Sequence, residues 1–303
     1  MTPPDSSRVA RARLSLDGLS VGDAFGTALG EGTSGPEQLR WLQGRVTPPL
    51  ALWPTTDDTE MGIAVVETLE ASGAIDPDAL AARFAARFAR EPHRGYGGTA
   101  RKILAALAAG GSWREISPKV FNGQGSKGNG AAMRAMPIGA YFSGEPAQVV
   151  EQARLSARPT HANSEGEAGA IAAALGAAWA ARRADGLERG SVFDFVLAAL
   201  PKGRVREVIE RARGLRPGAS TIEAVQSLGS GQQVIAEDTV PFALWCVDRH
   251  PDDFAAALWQ CADGFGDRDT TCAIVGGIVA LSAGRASIPP RWLQAREPLQ
   301  ATP

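Results

Sequence analysis

At 303 residues the chain is long for one domain and short for two, and no linker-like break divides it, so one large domain with a sizeable core is expected. Its 33 acidic residues nearly balance its 31 basic ones, which argues against a nucleic-acid or anionic-membrane partner and leaves a small molecule or a modified protein. Cys246, Cys261 and Cys272 form no Cys-x-x-Cys pair and leave one over in any disulfide scheme; no apolar stretch approaches the roughly 18 residues of a membrane span, and residues 1–7 hold no signal core. A reducing, cytoplasmic setting is expected, with the cysteines as buried apolar residues.

In chain order, a polar lead over 1–7, expected to be disordered, precedes a helix over 8–30. Its small-residue face carries Leu14, Gly18, Val21, Gly22, Phe25, Gly26 and Leu29. Each helical glycine costs about 1 kcal/mol against alanine, so these glycines serve a close approach of backbone or ligand. Residues 44–55 hold Pro48, Pro49 and Pro54 and read as an extended, positioned loop. It leads into the first acidic run, Thr55-Thr56-Asp57-Asp58-Thr59, which is followed at once by helical apolar spacing (Met61, Ala64, Val65, Leu69). Asp76-Pro77 reads as an N-cap and first-turn proline before the next helix. Further helices are expected near 98–110, 130–142, 146–157, 164–183, 191–199, 203–213, 238–249, 252–263 and 270–283, and alternating strands are scarce. The expected class is therefore all-α, with 297–303 a flexible tail; residues 184–237 carry no motif and read as helical packing and loops.

Three stretches carry chemistry. The run Gly123-Gln124-Gly125-Ser126-Lys127-Gly128-Asn129-Gly130 leads into Ala131-Ala132-Met133-Arg134, read as a helix start. Such a loop suits a diphosphate, and equally an ordinary turn and cap. His161, one of 3 histidines, falls between two helices in Pro159-Thr160-His161-Ala162-Asn163, where it is either a site residue or a surface histidine without a role. The second acidic run, Gly266-Asp267-Arg268-Asp269-Thr270-Thr271, again precedes helical spacing (Ala273, Val275, Gly276, Val279, Ala280). One helix cap needs one oxygen-bearing side chain. Each run offers two carboxylates and several hydroxyls, a hard-donor set suited to Mg²⁺, Mn²⁺ or Ca²⁺, with surplus capping as the alternative.

Taken in order, Gly22-Asp23-Ala24-Phe25-Gly26, Trp53 to Thr59, Arg94-Gly95-Tyr96-Gly97, Gly128 to Arg134, Thr160-His161 and Gly266 to Gly277 resemble the ADP-ribosylglycohydrolase family, over about 12 to 292. The resemblance implies one all-α multi-helix domain, over 8–296, with a metal-containing cleft. It implies two Mg²⁺ or Mn²⁺ ions and hydrolysis of the bond between ADP-ribose and an acceptor, with arginine-linked mono-ADP-ribose on protein as the substrate. By matching position, Thr56, Asp57, Asp58, Asp267, Asp269 and Thr270 would ligate metal, with Asp57, Asp58 and Asp269 also catalytic. Tyr96, Gly97, Ser126, Gly128, Asn129, Gly130, Ala131 and His161 would contact the ligand.

The family's glutamate falls, by count, on Gly30, and the nearest carboxylate is Glu31, which the resemblance makes the catalytic candidate. Arg268 stands where many relatives have threonine, and could pair with Asp23 or a phosphate. Aspartates at helix starts are expected to stay ionised. The alternatives are a catalytically silent ADP-ribose-binding or structural relative, and a hydrolase of another small nucleotide conjugate.

Overall fold

The computed structural model describes residues 5–30, 35–49 and 51–300. They form α1 (Ser6–Gly30), α2 (Gly35–Gly44), α3 (Asp57–Ser72), α4 (Pro77–Arg90), α5 (Gly98–Ala108), the short α6 (Trp113–Ile116) and α7 (Val120–Gly123), α8 (Met136–Tyr141), α9 (Pro146–Ala157) and α10 (Ser164–Ala184). They continue with α11 (Val192–Ala199), α12 (Arg204–Arg213), α13 (Thr221–Leu228), α14 (Ala236–Arg249), α15 (Phe254–Ala262), α16 (Arg268–Ala283) and α17 (Pro290–Ala295). Among the described residues there is no strand, only isolated bridges at Trp53–Arg296 and Gly128–Ile235. The all-α expectation holds.

The centre of the fold is the antiparallel pair α1 and α16. A Cβ placed on Gly18, Gly22 or Gly26 would lie 2.2, 2.0 or 2.4 Å from the carbonyl oxygens of Gly276, Cys272 and Arg268. No side chain fits there, so the glycines spaced four apart let two helix backbones touch. Around this pair pack α3, α8, α10, α14 and α15. The almost continuous small-residue surface of α10 is buried from Ala168 to Ala181 and receives α8 just as closely, with Gly139 against Ala174. All three cysteines are free and buried. No helix among the described residues is long and apolar enough to cross a membrane.

Several elements differ from expectation. α1 begins at Ser6, inside the lead expected to be disordered. The helix expected over 130–142 is broken into a 3-10 turn at Asn129–Ala131 and α8 from Met136. Pro137 explains the break, since it lacks an N–H and occupies the first turn, the place in a helix that tolerates it. α2, α13 and α17 were not expected. Over its described part, 297–300, the expected flexible tail is hydrogen-bonded through Glu297 and the Gln300 carbonyl.

Candidate active site

Both acidic runs open helices, and the α1–α16 contact brings those two helix starts together. Asp23, fully buried on α1, holds the first run. Its Oδ2 accepts from the Thr56 N–H at 2.8 Å and the Thr59 hydroxyl at 2.5 Å, and its Oδ1 accepts from the Thr56 hydroxyl at 2.9 Å. Thr56 is the N-cap of α3, its Oγ1 accepting from the Asp58 N–H at 3.3 Å. Across the site, the Thr270 hydroxyl on α16 reaches Asp58 Oδ2 at 3.5 Å, joining runs 212 residues apart. The amide of Asn129, in the glycine loop, donates to Asp267 Oδ2 at 2.7 Å and to the Thr239 hydroxyl at 3.1 Å. Acidic-run and glycine-loop residues thus face one cleft of about 650 Å³.

Of the residues expected at the site, Asp57, Asp58, Gly97, Ser126, Gly128, Asn129, Gly130, His161, Asp267, Asp269 and Thr270 line this cleft. Thr56 and Ala131 are buried behind it. Tyr96 is not a cleft wall: it is buried with its ring edge-on to Phe88, because the positive φ of Gly95 turns the chain so that its glycine neighbours face the cleft instead. Glu31 lies outside the described residues. Glu60, the third acid in the first turn of α3, faces away and pairs with Arg87 at 2.8 Å. Arg268 contacts neither Asp23 nor the cleft: its Nε donates to the Ala262 carbonyl and its guanidinium lies 4.4 Å from the Phe265 ring centroid.

Electrostatics set this site apart from a pair of capped helices. Burial, then repulsion from Asp23 and Asp269, raises the Asp57 and Asp58 carboxyls well above the usual range. Burial and Asp269 push Asp267 up to about 7, and burial pushes Asp23 to about 7 against its hydrogen bonds. The expectation that aspartates at helix starts stay ionised does not hold here, because burial and like charge outweigh the helix termini. Asp58 Oδ1 is buried with no hydrogen-bond partner among the described residues.

Among the described residues, no three Asp, Glu, His or Cys side chains converge into a metal cage. The donor set nonetheless fits a hard cation that keeps several waters and takes only one or two carboxylates: buried aspartates, an orphaned carboxylate oxygen and threonine hydroxyls on facing helix starts.

On the other side of the cleft stands a neutral histidine. The His161 ring rests against Gly128 and Gly130, where an added Cβ would lie 3.2 Å from Nε2. Thr160 Oγ1 accepts from Arg134 Nη2 at 2.9 Å and lies 2.7 Å from His161 Nδ1. With the Thr160 proton given to Nδ1, the ring carries its own hydrogen on Nε2, as a donor facing the loop. Burial, with Arg134 nearby, depresses His161 to about 3, so the ring is neutral. Arg134 is itself fully buried and ties the loop together, donating to Gly130 O at 2.9 Å and Ser156 O at 2.8 Å.

Sequence reading missed Phe121 and Val234, exposed apolar residues that line the cleft with left-handed backbones (φ 51° and 56°). A β-branched residue there is strained, so the surrounding contacts must hold Val234 in place. Neither left a sequence signal, since left-handed positions are read from glycine and asparagine. The loop bearing Val234 joins both halves of the site: Asn129 N donates to Val234 O at 3.3 Å, and Asp267 N to Ser230 O at 3.2 Å.

Acidic helix starts thus face a glycine loop within an all-α bundle, and comparison with known proteins gives the lineage of the chain. Residues 4–302 match the family model described as ADP-ribosylglycohydrolase, and the chain belongs to that family. It is similar to the ADP-ribosylhydrolase ARH3 of Gallus gallus, 30% identical over 97% of this chain and 90% of the relative. It is also similar to the ADP-ribosyl-[dinitrogen reductase] glycohydrolase of Rhodospirillum rubrum, 27% identical over 91% of this chain and 86% of that protein. A solved structure titled ADP-ribosylglycohydrolase-related protein complex superposes with a TM-score of 0.67 at 26% identity, covering 97% of this chain and 94% of the other. The protein is a hydrolase.

Proposed function

We propose that the cleft hydrolyses the bond between the distal ribose of ADP-ribose and a protein side chain, with arginine-linked mono-ADP-ribose as the substrate and two Mg²⁺ or Mn²⁺ ions as cofactor. The observation that carries this reading is the set of buried carboxylates crowded on two facing helix starts, opposite a glycine loop across one cleft. Asp57, Asp58, Asp267 and Asp269, with Thr56 and Thr270, would hold the ions. Bound there, they would supply Lewis-acid contact to the ribose hydroxyls and a water of lowered pKa. The names of the ARH3 and dinitrogen reductase relatives support ADP-ribose as the group removed.

The chain's own residues do the rest. Asp23 fixes the hydroxyls and amides of Thr56 and Thr59, so that the Asp57 and Asp58 carboxylates are presented in one orientation. Asn129 orients Asp267. The neutral Nε2–H of His161 offers a donor to the diphosphate without adding charge, and Ser126 and Gly128 supply the adjoining loop. Phe121 and Val234 give flat apolar surface for the adenine. An oxocarbenium-like transition state at the anomeric carbon gains from anionic carboxylates nearby.

The test is release of ADP-ribose from an arginine-modified protein and, in parallel, from a hydroxyl-linked one. Release is expected in Mg²⁺ or Mn²⁺, absent in EDTA, and reduced by about 10³-fold or more in Asp57→Asn and Asp269→Asn with the fold retained. Undiminished release by both variants would remove the two-ion assignment. Release from the hydroxyl-linked protein alone would replace arginine as the acceptor.

A further inference from the structure

The segment after α17 is held against the loop that delivers the first acidic run. Trp53 N donates to Ala295 O at 2.6 Å and Glu297 N donates to Trp53 O at 3.0 Å, forming a parallel bridge. The Glu297 side chain extends this grip: its Oε2 accepts from the Thr55 N–H at 3.1 Å and from Arg94 Nη1 at 2.7 Å. The same Arg94 nitrogen donates to Thr55 O at 3.2 Å, and the Arg94 carbonyl accepts from the Asp57 N–H at 2.7 Å. Further along, Gln300 O accepts from Arg87, whose guanidinium also holds Glu60 on α3. The backbone from Trp53 to Asp57 is therefore clasped from outside by Glu297 and Arg94, while Asp23 holds it from inside.

We infer that segment 295–300 is a strap and that Glu297 is a positioning residue for the carboxylates of the first acidic run, an inference that rests on the two-ion reading above. One carboxylate oxygen takes both the Thr55 amide and the Arg94 guanidinium, and the side chains are 14% and 20% exposed, so these charge-assisted bonds are partly shielded from water. The Asp57 N–H opens α3, where a helix leaves its donors without intrahelical partners, and its acceptor is the carbonyl of the residue Glu297 holds. Releasing Arg94 frees that carbonyl, and with it the direction in which Asp57 and Asp58 leave the helix start. A purely structural strap would instead lower global stability and leave this segment as protected as the rest.

Hydrogen exchange in EDTA over residues 53–60, together with calorimetric titration with Mn²⁺, separates the two. The variants are Glu297→Gln and, as a control that loosens a different element, Glu223→Ala, which opens the capping box of α13. Glu297→Gln is expected to speed exchange over 53–60 by about tenfold and weaken Mn²⁺ binding by about tenfold, with Glu223→Ala changing neither. Unchanged exchange over 53–60 in Glu297→Gln overturns the inference, as does faster exchange with Mn²⁺ affinity intact. If the wild-type protein takes up no Mn²⁺, the two-ion reading falls by itself, and exchange alone decides whether Glu297 holds the run.

Discussion

At the scale of single residues, the roles divide between side chains that face the cleft and side chains that aim them. Asp57, Asp58, Asp267 and Asp269 were legible in the sequence because carboxylates in excess of capping are visible without a structure. Asp23 was legible only as part of a motif; that it accepts from Thr56 and Thr59 depends on α1 lying beside α3, which no local pattern encodes. His161 could not be told from a surface histidine until Thr160 and Arg134 were seen behind it. Its burial makes a pH prediction. The folded-state pKa, about 3, lies below the ordinary value of 6.5, so on acidification the unfolded chain binds the proton first. Stability is therefore lost as pH falls from 6.5 towards 3, and none of this loss is present at higher pH. Between pH 7 and 5 His161 contributes about 2 kcal/mol of that loss. Urea unfolding of wild type and His161→Gln at both values should show the variant losing less by about that amount; equal losses would place the ring in solvent.

At the scale of elements, the glycines of α1 had a stated purpose in the sequence, a close approach, but not a partner. The partner is α16, and the contact decides the sign of a simple substitution. Gly22→Ala drives a methyl group into Cys272 O, with helix backbone on both sides. We expect a loss of about 3 kcal/mol with weakened ADP-ribose binding, because the helix starts bearing Asp57 and Asp269 move apart. Gly30→Ala, on the same helix with nothing among the described residues within 4 Å, should be neutral or stabilising by up to about 1 kcal/mol. Thermal unfolding and ADP-ribose titration of the two variants check the contrast. Other elements were misread for local reasons. Pro137 interrupts what apolar spacing reads as one helix, so the glycine loop ends in a 3-10 turn, not at a long helix start. The capping box of α13, Ser220 with Glu223, stood in the sequence as a recognisable signature and was passed over among motif-free residues.

At the scale of the whole molecule, the two-ion proposal predicts that the aspartate cluster couples stability to ions and protons together. Asp23 and Asp267 titrate near 7 in the fold against 3.8 ordinarily, so the metal-free protein gains most from them below the ordinary value and loses that contribution as pH rises through 7. A divalent ion bound there would replace the protons. Mn²⁺ or Mg²⁺ should therefore raise the melting temperature more at pH 8 than at pH 5.5, with EDTA reversing the rise and ADP-ribose adding to it only when the ion is present. Melting curves at the two pH values check this, and an ion effect independent of pH would detach the cluster from metal.

The contact between Thr270 and Asp58 spans 212 residues, and that between Ser15 and Gly277 spans 262. Closing such loops is entropically costly and slow. During synthesis α1 has no partner for its glycine face until α16 has emerged, so the cleft is among the last things the chain completes. Recovery of activity after dilution from denaturant will then lag behind recovery of helix content, and a ribosome-tethered fragment ending before α16 will have neither the closed pair nor the cleft.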